Sequence, residues 1–172
     1  MRKLRGEPSP AFTLSGPRKI KVNCWGCITG NGVRKIFRIS DGFNGEQYAK
    51  LLKTVLTDLK KIQPDFTFMQ DNASIHKVEV VTTLFHDLKI PTLNWPPKSP
   101  DLNPIENIWG LMQNRLNKVF DNDGEPESAN ELFCLIEKVW NEIKPEEIRN
   151  LYQSLPKRIQ GVLNANGCRT KY

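Results

Sequence analysis

The chain has 172 residues, 38% of them hydrophobic and 26% charged, with a formal net charge of +6. That length holds one domain able to bury a core without a disulfide or metal staple, and the composition excludes a membrane-embedded or a disordered chain. No run of about 18 apolar residues could span a bilayer, and no apolar stretch follows the basic N-terminus as in a secretory signal. The chain is therefore expected to remain inside a cell, with its four cysteines reduced.

The charge is uneven. Residues 1–22 hold six Lys/Arg against one Glu, and residues 156–172 hold four against none. The ends thus carry a net charge of +9, and the total of +6 leaves the middle at −3. Basic ends around an acidic middle suit a protein that grips a phosphate backbone and holds cations, although solvated basic termini give the same pattern.

Residues 1–18, with Pro8, Pro10, Pro17, Gly6 and Gly16, read as an irregular basic lead-in with at most a short extended piece at Phe12 to Leu14. One domain is expected over 19–172. It opens with a β-hairpin: Lys19 to Ile28 alternates with Ile20, Val22, Cys24 and Ile28 on one face, and Val33 to Ile39 returns after Thr29-Gly-Asn-Gly32. Asn44 and Gln47 form a capping box for a helix that aligns Tyr48, Leu51, Leu52, Val55, Leu56 and Leu59. Phe66 to Gln70 reads as a short buried strand ending at Asp71, Val78, Val81, Phe85 and Leu88 as a second helix, and Ile90 to Trp95 as another strand.

A Pro-rich loop, Trp95 to Pro104, then leads into a helix bearing Ile105, Ile108, Trp109, Met112 and Leu116. Three further helical segments are expected. The first has a capping box from Ser128 to Glu131 and the stripe Leu132, Leu135, Ile136, Val139, Trp140 and Ile143; the others begin near Pro145 and Pro156. The order implies a mixed sheet covered by helices, an α/β fold.

Asp71 follows the apolar run Phe66-Thr-Phe-Met69, which places it at the carboxyl end of a strand, where α/β sheets carry their ligands. Taken alone, Asp71 with Asn72 reads rather as a cap of the turn into the next helix. Glu106 stands three residues after Asn103 with Pro104 between, the pattern of N-cap, Pro at N1 and Glu at N3, so alone it is a capping box. A carboxylate in that turn can also be aimed across a sheet at a second one. His76 by itself is a structural histidine in the first turn of a helix. Cys24 and Cys27 would point to opposite faces of a strand and have no second Cys or His pair, so no zinc site is expected.

The stretch between the two carboxylates outweighs these local readings. Gln70-Asp-Asn72, then His76, then Trp95-Pro-Pro-Lys-Ser-Pro-Asp-Leu-Asn-Pro-Ile-Glu-Asn-Ile-Trp-Gly110 closely resembles the block around the second and third acidic residues of mariner-type DDE transposases. The interval of 34 residues between Asp71 and Glu106 is typical of one large branch of that superfamily. The likeness extends to Cys24-Trp-Gly-Cys27, Asn44-Gly-Glu46, Ser154-Leu-Pro-Lys-Arg-Ile159 and Gly167-Cys-Arg-Thr-Lys-Tyr172, and so covers nearly all the chain.

The resemblance implies a ribonuclease H-like fold in which three carboxylates hold two Mg²⁺ or Mn²⁺ ions for cleavage and joining of DNA by in-line displacement. Hard cations call for oxygen ligands, and on this resemblance Asp71 is the second and Glu106 the third. The implied partners are DNA and a second copy or a related transposase chain, with no membrane. The implied location is the nucleus.

In the family the first Asp stands on the first strand, upstream of the segment that residues 1–18 resemble. That strand and that ligand are expected to be missing, along with the helix-turn-helix modules that read transposon ends. Asp65 lies about 20 Å along the strand from Asp71, at roughly 3.3 Å per residue, and Asp41 lies in a Ser-Asp-Gly turn, so neither is expected to substitute. The isolated chain is then expected to be catalytically incompetent. Two readings stay open: part of a transposase completed by another segment, or a transposon-derived module that binds nucleic acid or protein without catalysis.

Overall fold

The structure, a computed structural model, describes residues 11–13, 20–96 and 99–165. Residues 1–10 and 14–19, Pro97 and Lys98 in the Pro-rich loop, and Gly167 to Tyr172 lie outside the described residues, and so do the expectations for them. The chain divides into two compact units, one holding the described residues of Ser40–Lys98, the other those of Ser9–Ile39 and Ser99–Tyr172.

In the second unit a three-stranded antiparallel sheet runs in the order β1 (Ala11–Thr13), β2 (Lys21–Ile28), β3 (Arg34–Ile39). Phe12 pairs with Val22, so the extended piece expected at the end of the lead-in is an edge strand. The hairpin between β2 and β3 forms as expected, with Trp25 opposite Phe37 and Gly26 opposite Ile36. Thr29 closes it through both ends: its N–H donates to the Val33 carbonyl at 2.8 Å and its Oγ1 accepts from the Val33 N–H at 3.1 Å. Gly32 takes φ +88°, a conformation that costs glycine least.

Helix α3 (Pro104–Asp123), helix α4 (Ala129–Asn141) and helix α5 (Pro145–Asn164) complete this unit. Phe12, Val22 and Cys24 join Ile108, Trp109, Met112, Leu116, Leu132, Ile136, Val139, Trp140, Ile143 and Ile148 in one buried cluster. Each large aliphatic side chain so buried stabilises by about 1.5–3 kcal/mol relative to exposure. The face read from alternation, Val22 and Cys24, does face this core. Trp25 and Cys27 on the other face are buried as well, so β2 is covered on both sides rather than one.

Among the described residues two helices follow α3, not the three expected. Pro156 lies inside α5 rather than at the start of a new element. An interior proline costs a helix about 3 kcal/mol, and packing on both sides of it outweighs that: Ile148 is fully buried before it and Arg158 is buried after it. At α4, Ser128 Oγ accepts from Glu131 N–H at 3.2 Å, but the returning Glu131 carboxylate accepts from Glu127 N–H at 2.8 Å, one residue earlier than in a capping box.

The first unit is built on helix α1 (Gly45–Ile62) and helix α2 (Glu79–Asp87). Asn44 and Gln47 exchange hydrogen bonds of 3.0 Å, the capping box read from the sequence. Tyr48, Leu52, Val55, Leu56 and Leu59 are buried on one face of α1, with Leu51 half-buried at its rim. Val81 and Phe85 supply the buried face of α2, and the Phe85 ring lies 5.1 Å from that of Phe68.

The two strands expected in this unit shrink to one parallel bridge, Phe68 to Thr92. Phe68 N–H donates to Pro91 O and Leu93 N–H donates to Phe68 O, each at 2.8 Å. Pro91 can donate nothing in return, and Phe66 to Gln70 is half-buried to exposed rather than buried. No helix among the described residues is long and apolar enough to cross a membrane.

Candidate active site

Asp71 lies just beyond the Phe68 to Thr92 bridge, before a 3₁₀ turn, Ser74–His76. Its Oδ1 accepts from Ala73 N–H at 3.0 Å, an Asx turn, and from His76 Nδ1 at 2.8 Å. His76 Nδ1 is also 3.2 Å from the Asp71 carbonyl oxygen. Both partners of Nδ1 are acceptors, which assigns the ring proton to that nitrogen. The expectation that His76 opens a helix is corrected: α2 starts only at Glu79, and Asp71 and Ala73 hold the intervening turn.

The His76 side chain is 12% exposed and that of Asp71 60%. The imidazole packs on the buried Tyr48 ring at 4.6 Å between centroids, tilted 33°. Tyr48 O–H donates to Gln70 Oε1 at 2.8 Å, and Gln70 Nε2 donates to the His76 carbonyl at 3.4 Å. Asn72 Nδ2 donates to Trp95 O at 2.8 Å, so all three residues of Gln70-Asp-Asn72 are engaged. Sequence reading assigned Tyr48 to the core and gave Gln70 no role. The only signal for their part was Gln70's place beside Asp71.

Glu106 occupies the first turn of α3, half-buried, after a second 3₁₀ turn, Pro100–Leu102. The reciprocal capping box expected with Asn103 is not what forms. Asn103 N–H donates to Pro100 O at 3.0 Å, its Oδ1 accepts from Ile105 N–H at 3.4 Å, and Glu106 N–H donates to the Asn103 carbonyl at 3.1 Å. The 3₁₀ turn takes the amide that the Glu106 carboxylate would otherwise cap. Next to it, Asn107 Oδ1 accepts from Arg158 Nη1 at 2.6 Å, while Arg158 Nε donates to Ser154 Oγ at 2.9 Å. Arg158 is a buried cation, 8% exposed, that sequence reading noted only within a motif.

Asp71 and Glu106 fall in different compact units. Asp65 is exposed, and Asp41 is exposed in a turn completed by Gly42 at φ +76°. Among the described residues, no group of three or more His, Cys, Asp or Glu side chains could hold a metal ion. Burial pushes the Cys24 and Cys27 thiols up to about 12, far from thiolates ready to take zinc. Cys24 belongs to the core cluster and Cys27 does not, in keeping with their opposite faces.

Residues 2–125 match the DDE superfamily endonuclease family. The chain is 33% identical to the Tc1 transposase of Caenorhabditis elegans over 153 residues, covering 88% of this chain and 54% of that protein. It is 30% identical to the Tc3 transposase of the same organism over 168 residues, 96% of this chain and 50% of the other. The chain thus spans about half the length of the curated relatives it matches. Among solved structures, the Mos1 transposase catalytic domain with raltegravir and magnesium superposes with a TM-score of 0.81 at 17% identity, over 94% of this chain and 83% of that one. A Mos1 paired-end complex with the left transposon end gives 0.78 at 18% identity, over 99% and 51%. These superpositions establish a ribonuclease H-like α/β fold. With the family matched over most of its length, the chain belongs to the DDE superfamily endonucleases of the Tc1/mariner transposase group.

Proposed function

We propose that this chain supplies the Asp71 and Glu106 ligands of a cut-and-paste transposase catalytic domain, which cleaves DNA and joins it to a new site. The observation that carries the reading is the state of Asp71: a carboxylate held at Oδ1 by two donors yet 60% exposed. A plain turn cap needs only the Ala73 N–H.

The donor chemistry fits Mg²⁺ or Mn²⁺, since both residues offer hard carboxylate oxygens. When bound, such ions activate a water or 3′-hydroxyl and stabilise the leaving oxygen. The chain's own part is to fix the ligands. Ala73 and His76 orient the Asp71 carboxylate, and the Pro100–Leu102 turn with the Asn103 cap sets the start of the helix that carries Glu106. The Mos1 structures with magnesium and with a transposon end support a divalent ion and a DNA partner for this chain too, and a paired-end assembly is where a second transposase copy would join it. On this reading the DNA partner places its work in the nucleus.

The test is calorimetry with Mn²⁺ on the chain, Asp71→Ala and Glu106→Ala, followed by plasmid nicking. Binding weakened in both variants is the expected result. Equal Mn²⁺ affinity in all three folded proteins would sink the metal-ligand reading and leave a nucleic-acid-binding module.

A further inference from the structure

We infer that His76 is a positioning residue for the Asp71 carboxylate, with Tyr48 and Gln70 as its supports; the inference rests on the proposed role of Asp71 as a metal ligand. An aspartate 60% exposed would ordinarily exchange among rotamers. Here the Ala73 N–H and His76 Nδ1–H converge on one oxygen, at 3.0 and 2.8 Å, and fix the plane of the carboxylate. A nitrogen that donates this proton has no lone pair left for a metal, so through Nδ1 His76 acts on the ligand and not on the ion.

The supports close a loop. The imidazole rests on the Tyr48 ring, Tyr48 O–H donates to Gln70 Oε1, and the Gln70 amide donates to the His76 carbonyl. Ring and backbone of His76 are therefore held by a single pair of residues, and that pair is anchored because Tyr48 is buried in α1. A structural histidine could be satisfied by any acceptor. This one is held so that its donor meets the candidate ligand.

The test uses the full chain and reads two quantities that need no turnover. Nitrogen NMR should find His76 as the Nδ1–H tautomer, and an Nε2–H tautomer would overturn the proposal. Mn²⁺ affinity by calorimetry should fall about 10–100-fold in His76→Ala, the usual effect of removing a hydrogen-bond partner of a ligand. It should recover largely in His76→Asn, whose amide N–H can take the place of Nδ1–H. Tyr48→Phe, which keeps the ring and loses the bond to Gln70, covers the case in which His76→Ala does not fold, and should weaken Mn²⁺ binding measurably. If Asp71→Ala weakens binding while folded His76→Ala and Tyr48→Phe leave it unchanged, the positioning role is overturned and the ligand role stands. If the chain does not bind Mn²⁺, or Asp71→Ala binds as the parent does, the ligand role fails and this proposal with it.

Discussion

Gly26 of β2 lies directly against the Trp109 ring of α3: a Cβ at residue 26 would come within 2.6 Å of Trp109 Cη2 and 3.0 Å of Trp140 Cη2. The two indoles are stacked 5.2 Å apart at 29°, so neither can retreat from the strand without disturbing the other. Gly26→Ala should therefore destabilise the chain by about 1–3 kcal/mol, the usual cost of overpacking. Urea denaturation followed by tryptophan fluorescence would measure it, and an unchanged midpoint would mean that the rings are more loosely held than their contacts imply.

Arg158 links two helices of the second unit through Asn107 and Ser154. Replacing it with methionine keeps most of the buried stem but leaves those two polar partners without their cation. A loss of about 1.5–3 kcal/mol is expected, the range for hydrogen bonds to a charged group. Arg158→Lys should recover little, because an ammonium cannot reproduce the two directions of the guanidinium. A lysine variant as stable as the parent would show that charge rather than geometry matters there.

Glu147 predicts an acid limb. Burial alone would raise its pKa, but the Lys144 N–H and the Arg115 guanidinium, which bond to its two oxygens, hold it below the ordinary 4.5. The unfolded chain takes up this proton at a higher pH than the folded one, so the contribution is complete above about 4.5 and fades as pH falls through the folded value. Thermal melts of Glu147→Gln across this window should lose less stability on acidification than the parent. Parallel curves would sink the assignment.

Cys24 and Cys27 predict an alkaline limb of opposite origin. Burial raises both thiols from 9.0 to about 12, so the unfolded chain releases these protons first and stability should fall as pH rises from about 9. At neutral pH, alkylation followed by peptide mapping should modify the exposed Cys134 quickly, and Cys24 and Cys27 only at the rate of unfolding. Rapid labelling of either buried thiol would contradict the packing of β2.

The elements that sequence made legible were those with local causes. The Asn44 and Gln47 box, the stripe from Tyr48 to Leu59 and the hairpin around Thr29 are each specified within a few residues, and each forms. Phe66 to Gln70 and Ile90 to Trp95 were misread as strands because a ladder depends on partners that an apolar run does not reveal. Pro156 was misread because its local cost is outweighed by burial of Ile148 and Arg158, which sequence distance conceals. At the candidate site, Asp71, Glu106 and His76 came from a motif. The bond from His76 to Asp71 and the support from Tyr48 arise from folding that brings α1 against a 3₁₀ turn, and no spacing announces it.

Pro156 also bears on how α5 opens. Having no N–H, it leaves the Tyr152 carbonyl without the amide that would normally follow four residues later, so the helical ladder is interrupted there although the helix continues. Fraying that begins at Asn164 meets one ladder bond fewer at this point, and the grip of Arg158 on Asn107 is the restraint in its way. A helix continuous in outline can thus exchange its amide hydrogens as two cooperative segments, the later one the faster.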